Sequence, residues 1–382
     1  MSTRSADVLV VGGGVIGVAT AHACALRDLS VTLLERHGLA AAASGRNQGL
    51  MLDSHPPAMK RLAADSVERW LGLHERTGGA FLLDRSPREL LVTAADAEAL
   101  EHDAAQPGAV RVGADELRTI EPLLSAELAG AVLVPGVRRV DPGAGVSALA
   151  DEARRHGAVL QTGCAVKALR VEGGRVTGVL TERGELHAGT IVVASGPWSW
   201  QVCRSLSYDV PVRGVRGWLA ITRPAPFRLS HVVEESRRTW RERMADQRWT
   251  VADAATGVDP PRHLSLLIQQ DDVGRVMLGS SLAASPGDRD EGEAALRELC
   301  ARAVAMMPPL AQLEIAETRS CARPATPDGL PLHGPVPGVD GLVLATGHGG
   351  QGISWGLGAG EAIAEGIVTG RWDAALAPER AL

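Results

Sequence analysis

Lysine, asparagine and tyrosine are nearly absent from this 382-residue chain: of 39 basic residues only Lys60 and Lys167 are lysine, Asn47 is the sole asparagine and Tyr208 the sole tyrosine. Beside abundant Ala, Gly and Arg, this depletion reads as the mark of a GC-rich bacterial genome rather than of a function. It also leaves a mechanism built on a catalytic lysine or tyrosine with almost no candidates. Cysteine is sparse as well. Cys24, Cys164, Cys203, Cys300 and Cys321 are scattered, with no pair at zinc spacing and no disulfide framework, so most are expected as reduced core residues and no metal site is expected. No apolar run is long enough for a membrane span. A formal net charge of −6 carries no nucleic-acid footprint. The opening MSTRSAD is too short and polar for a signal peptide, and a cytoplasmic location is the expectation. A hydrophobic content of 45% with mean hydropathy near zero reads as a globular protein, and the length allows two domains.

What is present is organised around residues 7–36, DVLVVGGGVIGVATAHACALRDLSVTLLER. A β-branched run, Val8 to Val11, enters Gly12-Gly13-Gly14-Val15-Ile16-Gly17 and then an amphipathic stretch ending near Arg27. A second strand, Ser30 to Leu34, stops at Glu35. Each glycine has a reason in dinucleotide binding: Gly12 for the tight turn, Gly14 for backbone approach to a pyrophosphate, Gly17 for close packing of helix on strand. The helix N-terminus offers free N–H groups and the positive end of its dipole. Glu35 stands where a carboxylate takes the hydroxyls of a ribose.

The small, glycine-rich stretch 37–52 follows, carrying Ser44-Gly45-Arg46-Asn47-Gln48-Gly49. It reads either as a loop running close to a cofactor or as a plain surface loop. Residues 57–78 have helical spacing. From Phe81 short strands take over (FLLD, RELLVTA), with helical pieces over 95–105 and 115–120, and strand character over 132–140 broken by Pro135-Gly136. A helix starts at Asp141-Pro142 and ends at His156-Gly157. A three-strand meander is expected from AVLQTG and AVKALRVEGGRVTGVLTERGEL, with turns at Gly173-Gly174 and Arg183-Gly184. The apolar strand TIVVASGPWSW, 190–200, runs into Ser195-Gly196-Pro197. Strands are expected over 208–223 and 263–281, the latter a hairpin about Asp271 to Gly274, and a helix over 291–307. The charged stretch 230–262 reads as a lid or a partner surface. Near the far end, a buried strand over 341–346 leads into Gly347-His348-Gly349-Gly350-Gln351-Gly352 and a small-residue helix from about Ile353. This second set of amides at a helix start implies that both ends of the chain meet in one domain.

These motifs together resemble the D-amino acid oxidase family in its glycine oxidase and sarcosine oxidase branch. VVGGGVIGVATAHACALRDLSVTLLER, ASGRNQGLM, IVVASGPWS, RPATPDGLP and TGHGGQGI fall in the family's order across nearly the whole chain, with least similarity in 230–262. The resemblance implies FAD. Val15 and Ile16 would lie at the pyrophosphate turn, and Glu35 with Arg36 at the adenosine. Ala43, Ser44, Gln48, Gly49 and Leu50, with Arg46 and Asn47 of the same loop, would line the flavin side. Val166 would contact the adenine through its backbone, and Ser195, Gly196 and Trp198 would pass close to the cofactor. His348, Gly349, Gly350, Gln351, Gly352, Ile353 and Ser354 would present amides to the pyrimidine edge of the flavin, where a helix N-terminus stabilises negative charge. Arg323 matches the family's substrate arginine, whose planar fork holds a carboxylate; a salt bridge or a solvated arginine is the plain alternative. Cys321 lines up with the cysteine that attaches covalently to flavin in sarcosine oxidases, an inert thiol being the alternative. His348 is the one residue weighed for moving protons, with a structural role preferred.

The implied fold is α/β: a Rossmann-type FAD-binding domain from 1–80, 137–205 and 320–382, and an α+β substrate domain with a mostly antiparallel sheet from 81–136 and 206–319. The implied reaction is oxidation of the C–N bond of an amine or amino acid, by hydride transfer to flavin N5, with hydrolysis of the imine. The family's oxygen-activating lysine has no counterpart after Lys167. Electron delivery to a quinone or a partner subunit, as in opine oxidases and hydrogen cyanide synthase subunits, therefore stands beside an oxidase. An NAD-dependent dehydrogenase and a flavin-bound module without turnover remain open, as does a homo-oligomer.

Overall fold

A computed structural model describes residues 5–51, 55–84, 88–94, 99–105, 108–206, 208–236, 263–282 and 289–381. Most of the charged stretch 230–262, with Trp240 and Trp249, lies outside them. The strands in chain order are β1 Ser5–Val11, β2 Val31–Leu34, β3 Leu50–Met51, β4 Arg88–Ala94, β5 Val110–Gly113, β6 Gly130–Arg139, β7 Val159–Gln161, β8 Val166–Glu172, β9 Arg175–Thr181, β10 Gly184–Val193, β11 Arg213–Pro224, β12 Val232–Glu235, β13 His263–Gln270, β14 Arg275–Leu282, β15 Ile315–Ala325, β16 Leu332–Val336 and β17 Val339–Thr346. The helices are α1 Val15–Ala25, α2 Lys60–Thr77, α3 Ala99–Ala104, α4 Ala114–Ile120, α5 Pro142–Arg155, α6 Ser199–Val202, α7 Arg289–Met306 and α8 Gly352–Thr369. The chain divides into two compact units, Met1–Leu83 with Arg139–Gly214 and Ala322–Leu382, and Asp84–Arg138 with Val215–Cys321.

The first unit is built on parallel strands in the order β7-β2-β1-β10-β17. β16 lies antiparallel to β17 at one edge. Buried on both faces, β1 and β10 read as continuous β-branched runs, as parallel strands do. On one face α1 packs against α5 and α8, around Val10, Val18, Leu33, Leu149, Val192, Leu357 and Ile363. α1 is therefore not amphipathic: every residue in it except His22 is buried, because α8 covers the side that a two-layer arrangement would leave wet. The close approach depends on glycine. A Cβ at Gly356 would lie 2.8 Å from Val15 Cγ2, and one at Gly360 would lie 2.4 Å from the carbonyl carbon of Ala19.

The expected meander exists, with different members. β8, β9 and β10 form it in antiparallel pairs, whereas β7 pairs with β2 in parallel at the sheet edge. GEL and TIVV are one strand. The first half of β10, Gly184 to His187, pairs with β9, and the second half lies parallel between β1 and β17. The FLLD segment is no strand; Leu82 makes a single bridge to Val140. The helix at Asp141-Pro142 starts as expected, the Asp141 carboxylate accepting from Ala144 N at 2.9 Å.

The second unit carries a sheet in the order β15-β11-β14-β13-β12-β4-β6, with β5 on β6. β11 with β14, β14 with β13, β13 with β12, β4 with β6 and β5 with β6 pair antiparallel, and β12 with β4 pairs parallel. Pro135-Gly136 does not end a strand. β6 passes through it with a register shift and Gly136 at φ 95°, a bulge that accommodates the missing proline donor. α7 covers the sheet through Leu299 and Ala303, against Leu91, Val233, Ile268 and Leu278. The buried Glu121 after α4 accepts from the backbone N–H groups of Ser230 and His231, at 2.9 and 3.0 Å.

Gly360→Val forces a branched side chain into the Ala19 backbone, and overpacking there should cost about 3 kcal/mol. Urea unfolding of the purified variant reads this out; stability equal to the parent would show that α8 is not held against α1 as described.

Candidate functional site

The chain leaves β1 for β2 on one side while β10 lies on the other, so the C-terminal end of β1 is a topological switch point, where open α/β sheets bind ligands. Gly12 has φ 119°, and a Cβ there would lie 2.5 Å from the Ala194 carbonyl oxygen. A Cβ at Gly17 would lie 1.9 Å from the Gly12 oxygen. These two glycines thus let strand, turn and helix close on each other. At Gly14, by contrast, an added Cβ would meet only the Ser44 side chain, with Oγ at 3.0 Å. The missing side chain there leaves room beside the turn.

Side chains from two other segments converge on this turn. Gly13 N donates to Glu35 Oε2 at 2.8 Å, while Glu35 Oε1 accepts from His37 N at 2.8 Å. Val15 N donates to Ser44 Oγ at 2.9 Å. Residues 161–164 run alongside, through Glu35 N to Gln161 O and Cys164 N to Glu35 O, both 2.9 Å, which brings Val166 at the start of β8 near the acidic tip. The Arg36 guanidinium lies over the Trp198 ring at 4.1 Å, so the tip of β2 and the exit of β10 are joined by a cation–π contact.

The loop after Glu35 is a short turn, Ala43–Gly45, followed by β3. Asn47 is its internal tie: Nδ2 donates to Ala43 O at 2.8 Å and Ser44 O at 3.0 Å, and Oδ1 accepts from Gly49 N at 2.7 Å. Gly49, at φ 71°, sits so that a Cβ would lie 1.9 Å from the Val140 oxygen. Asn47 and Gly49 therefore shape the loop; Gln48 and Leu50 are half-buried in it and Arg46 is exposed.

The second glycine turn joins β17 to α8. Gly352 and Gly356 face Val15, with Val15 Cγ1 3.7 Å from the Cβ position of Gly352, so the two helix starts meet. The turn is anchored by Gly349 N to Pro324 O at 2.8 Å, by Gln351 N to His348 O at 2.9 Å, and by Trp70 Nε1 to Ile353 O at 3.0 Å. Thr346 Oγ1 accepts from Ser199 Oγ at 3.0 Å and donates to Gly196 O at 3.1 Å, linking the Ser195 to Trp198 turn to the end of β17. Arg323 lies against the same turn: its Cδ and Nε are 3.6 Å from where a Cβ of Gly350 would be. Ser354 Oγ is buried without a hydrogen-bond partner among the described residues.

His348 is buried, and its Nε2 lies 2.9 Å from Nε2 of the equally buried His333 on β16. Burial pushes His333 down to about 3. Burial and then the neighbouring ring hold His348 well below the ordinary imidazole range. Both are neutral near pH 7.

His333 and Trp70 lie outside the motifs, His333 leaving a trace as a polar residue in the otherwise apolar LPLHGP; Thr346 and Ser199 lie inside TGHGGQGI and IVVASGPWS without a role being assigned to them. Cys321 is partly buried on β15, whereas burial raises the Cys24 and Cys203 thiols to about 12. Among the described residues one histidine–carboxylate group gathers, His22, Glu152 and His156, with ligand atoms within 4.8 Å of one another. The Glu152 carboxylate is bonded to Arg155 and faces Arg76 at 3.7 Å, which makes the group an ion-pair network.

A parallel sheet with two glycine-opened helices at its switch point, and a carboxylate at the tip of β2, defines a dinucleotide-binding α/β protein. The chain belongs to the FAD dependent oxidoreductase family, whose model matches residues 7–366. It is 30% identical over 362 residues to a glycine oxidase of Pseudomonas aeruginosa, covering 90% of each chain. It is 27% identical to a hydrogen cyanide synthase subunit of the same species, over 90% of this chain and 88% of that one. The structure of a glycine oxidase from Bacillus cereus superposes with a TM-score of 0.81 over 97% of each chain at 24% identity, which shows the fold. The cofactor is FAD, and the residues present fit it: a turn with room beside Gly14, and a second turn beside the buried, unpartnered oxygen of Ser354. Among the described residues no helix is long and apolar enough to cross a membrane.

His22, lowered to about 4 chiefly by burial, joins His333 and His348 in refusing protons that the unfolded chain accepts near pH 6.5. Stability from these groups is fully present above about pH 6.5 and is lost progressively as pH falls toward the folded values. Urea unfolding at a series of pH values should show this decline, and His22→Leu should make it shallower. A stability flat across that range would show that the histidines are not held neutral.

Proposed function

We propose that this chain oxidises the C–N bond of an amino acid or an N-substituted amino acid, in the manner of glycine oxidases. The unit containing β1, α1 and α8 takes the role of FAD-binding domain and the other unit that of substrate domain. Glu35 and Arg36 serve the adenosine end, the first turn of α1 with Ser44 serves the pyrophosphate, and the turn His348 to Ser354 serves the flavin.

The observation that carries this reading is the position of Arg323. Its stem rests on the Gly350 turn, and the next residue, Pro324, accepts from Gly349 N at 2.8 Å, so arginine and turn are braced together. A guanidinium fork placed there meets a substrate carboxylate in two parallel hydrogen bonds and orients the α-carbon. FAD, when bound, supplies the two-electron acceptor for the hydride that leaves that carbon. The chain contributes placement, since holding the reacting atoms about 3 to 3.5 Å apart is the main term in such a reaction. The positive end of α8 favours negative charge developing at its mouth. The substrate amine binds neutral, so no protein base is required; His348 is already paired and is given no proton-transfer role. The imine product hydrolyses in water to a keto acid or glyoxylate and an amine.

A second reading concerns where the electrons go. Lys60 is exposed on α2, and Lys167 is exposed and paired with Glu182 at 2.6 Å, so neither lysine is buried to activate oxygen. This favours a partner subunit or a quinone as acceptor, and mixing the reduced protein with air in a stopped-flow instrument separates the cases: rapid reoxidation sinks the dehydrogenase reading. Cys321, two residues from Arg323 and on the same face of an extended strand, is the candidate for a covalent flavin bond, detected as a mass gain of one FAD in the denatured chain. Reduced cysteines throughout fit a cytoplasmic location.

Anaerobic bleaching of the flavin by glycine, N-methylated and N-carboxymethylated amino acids, D-amino acids and opines identifies the substrate. Arg323→Ala should weaken the effective carboxylate substrate at least about tenfold, the scale of a lost charged hydrogen bond, while FAD is retained. Unchanged apparent affinity would remove Arg323 from the site.

A further inference from the structure

Two neutral imidazoles facing each other through Nε2 atoms 2.9 Å apart share one proton between them. One ring donates and the other accepts. The accepting ring must carry its own proton on Nδ1, and neither Nδ1 has a hydrogen-bond partner among the described residues although both are buried. The pair therefore holds one buried N–H with nothing among the described residues to receive it, an arrangement that costs stability unless a ligand completes it. The rings belong to different kinds of element. His333 sits in β16, its backbone N–H donating to Leu376 O at 2.8 Å, and β16 is paired along its length with β17. His348 sits in the glycine turn that opens α8. The charge that bears on His333 is the Arg380 guanidinium, itself bonded to Asp328 at 2.8 Å and to Leu330 O at 2.7 Å. Of the two rings, only His348 lies in the turn that the proposed function gives to the cofactor, so a ligand there receives the N–H when His333 is the donor.

We propose that His333 is a positioning residue for the cofactor turn: it donates Nε2–H to His348, fixes His348 as the Nδ1–H tautomer, and so leaves that N–H as a donor for bound FAD. The tautomer of one ring nitrogen is set by the bond that the other makes; His333 makes that bond from a strand hydrogen-bonded to β17 and to Leu376. Ser354 Oγ, at the third residue of α8, is likewise buried without a hydrogen-bond partner among the described residues. The proposal rests on the reading that the start of α8 holds FAD.

The test uses the intact chain in its apo and FAD-loaded forms. Long-range 15N spectra of histidine-labelled protein should show His348 protonated at Nδ1 before FAD is added, with that resonance shifting on binding. His333→Leu, an apolar replacement in an apolar strand, should scramble the His348 tautomer, weaken FAD about tenfold, and shift the visible spectrum and midpoint potential of the flavin that remains. His333→Gln, whose amide nitrogen reaches where Nε2 stood, should restore all three. Protonation of His348 at Nε2 in the wild type, or a His333→Leu protein with unchanged FAD affinity, spectrum and potential, overturns the proposal. Gly350→Val tests the underlying reading separately. A Cβ there would meet only Arg323 atoms, at 3.6 Å, and undiminished FAD binding by the variant would mean that FAD does not sit on this turn at all.

Discussion

The close contact between α1 and α8 is the constraint on which the rest of the first unit depends. A helix pair normally stands 8 to 10 Å apart. Glycine at 356 and 360 lets α8 come down on Val15 and Ala19 until no side chain would fit between them. That approach brings a helix start from residue 15 beside a helix start from residue 352, and with them two sets of free amides. It also seals α1 from water, which is why that helix is apolar on every side.

Around this contact the unit is braced by hydrogen bonds between distant segments rather than by charge. Trp70 on α2 takes the Ile353 carbonyl across 283 residues of chain, and Ser66 accepts from Leu357 N at 3.2 Å. Thr346 holds the turn after β10 to the end of β17. Three of these bonds are buried and that of Thr346 to Gly196 is partly buried, where an unmade partner is expensive, so the turns are held in place without the cofactor. Most ion pairs lie on exposed side chains, such as Lys167 with Glu182 or Arg118 with Asp115, and contribute little. A less exposed network is that of Arg27 and Arg69 on Glu361, which lowers the Glu361 carboxyl against the opposing effect of burial and ties α1 and α2 to α8.

What is legible in the sequence here is local geometry. Gly12 and Gly17 close a turn only six residues long, and Glu35 bonds Gly13 from the next strand. Asn47 and Gly49, which the family resemblance places at the cofactor, also shape their own loop, through Ala43, Ser44 and Val140. His333 carried no expectation, because its partner is fixed by strand pairing and not by spacing. β10 was divided in two because its first half has the alternation of an antiparallel strand and its second half the continuous apolarity of a parallel one; both patterns are real, and the strand changes neighbours midway.

While Arg323 entered only through the family resemblance, the chain declared from residues alone an α/β sheet opened by a glycine turn and a second such turn near its far end. Short-range sterics and hydrophobic period suffice for that, since each feature lies within one strand–turn–helix unit. Tertiary packing alone decided which of these features meet. It put Val15 under Gly356, rested Arg323 on the Gly350 turn, and set His333 against His348, because such distances depend on how glycine faces and paired strands close over one another, which no local pattern encodes.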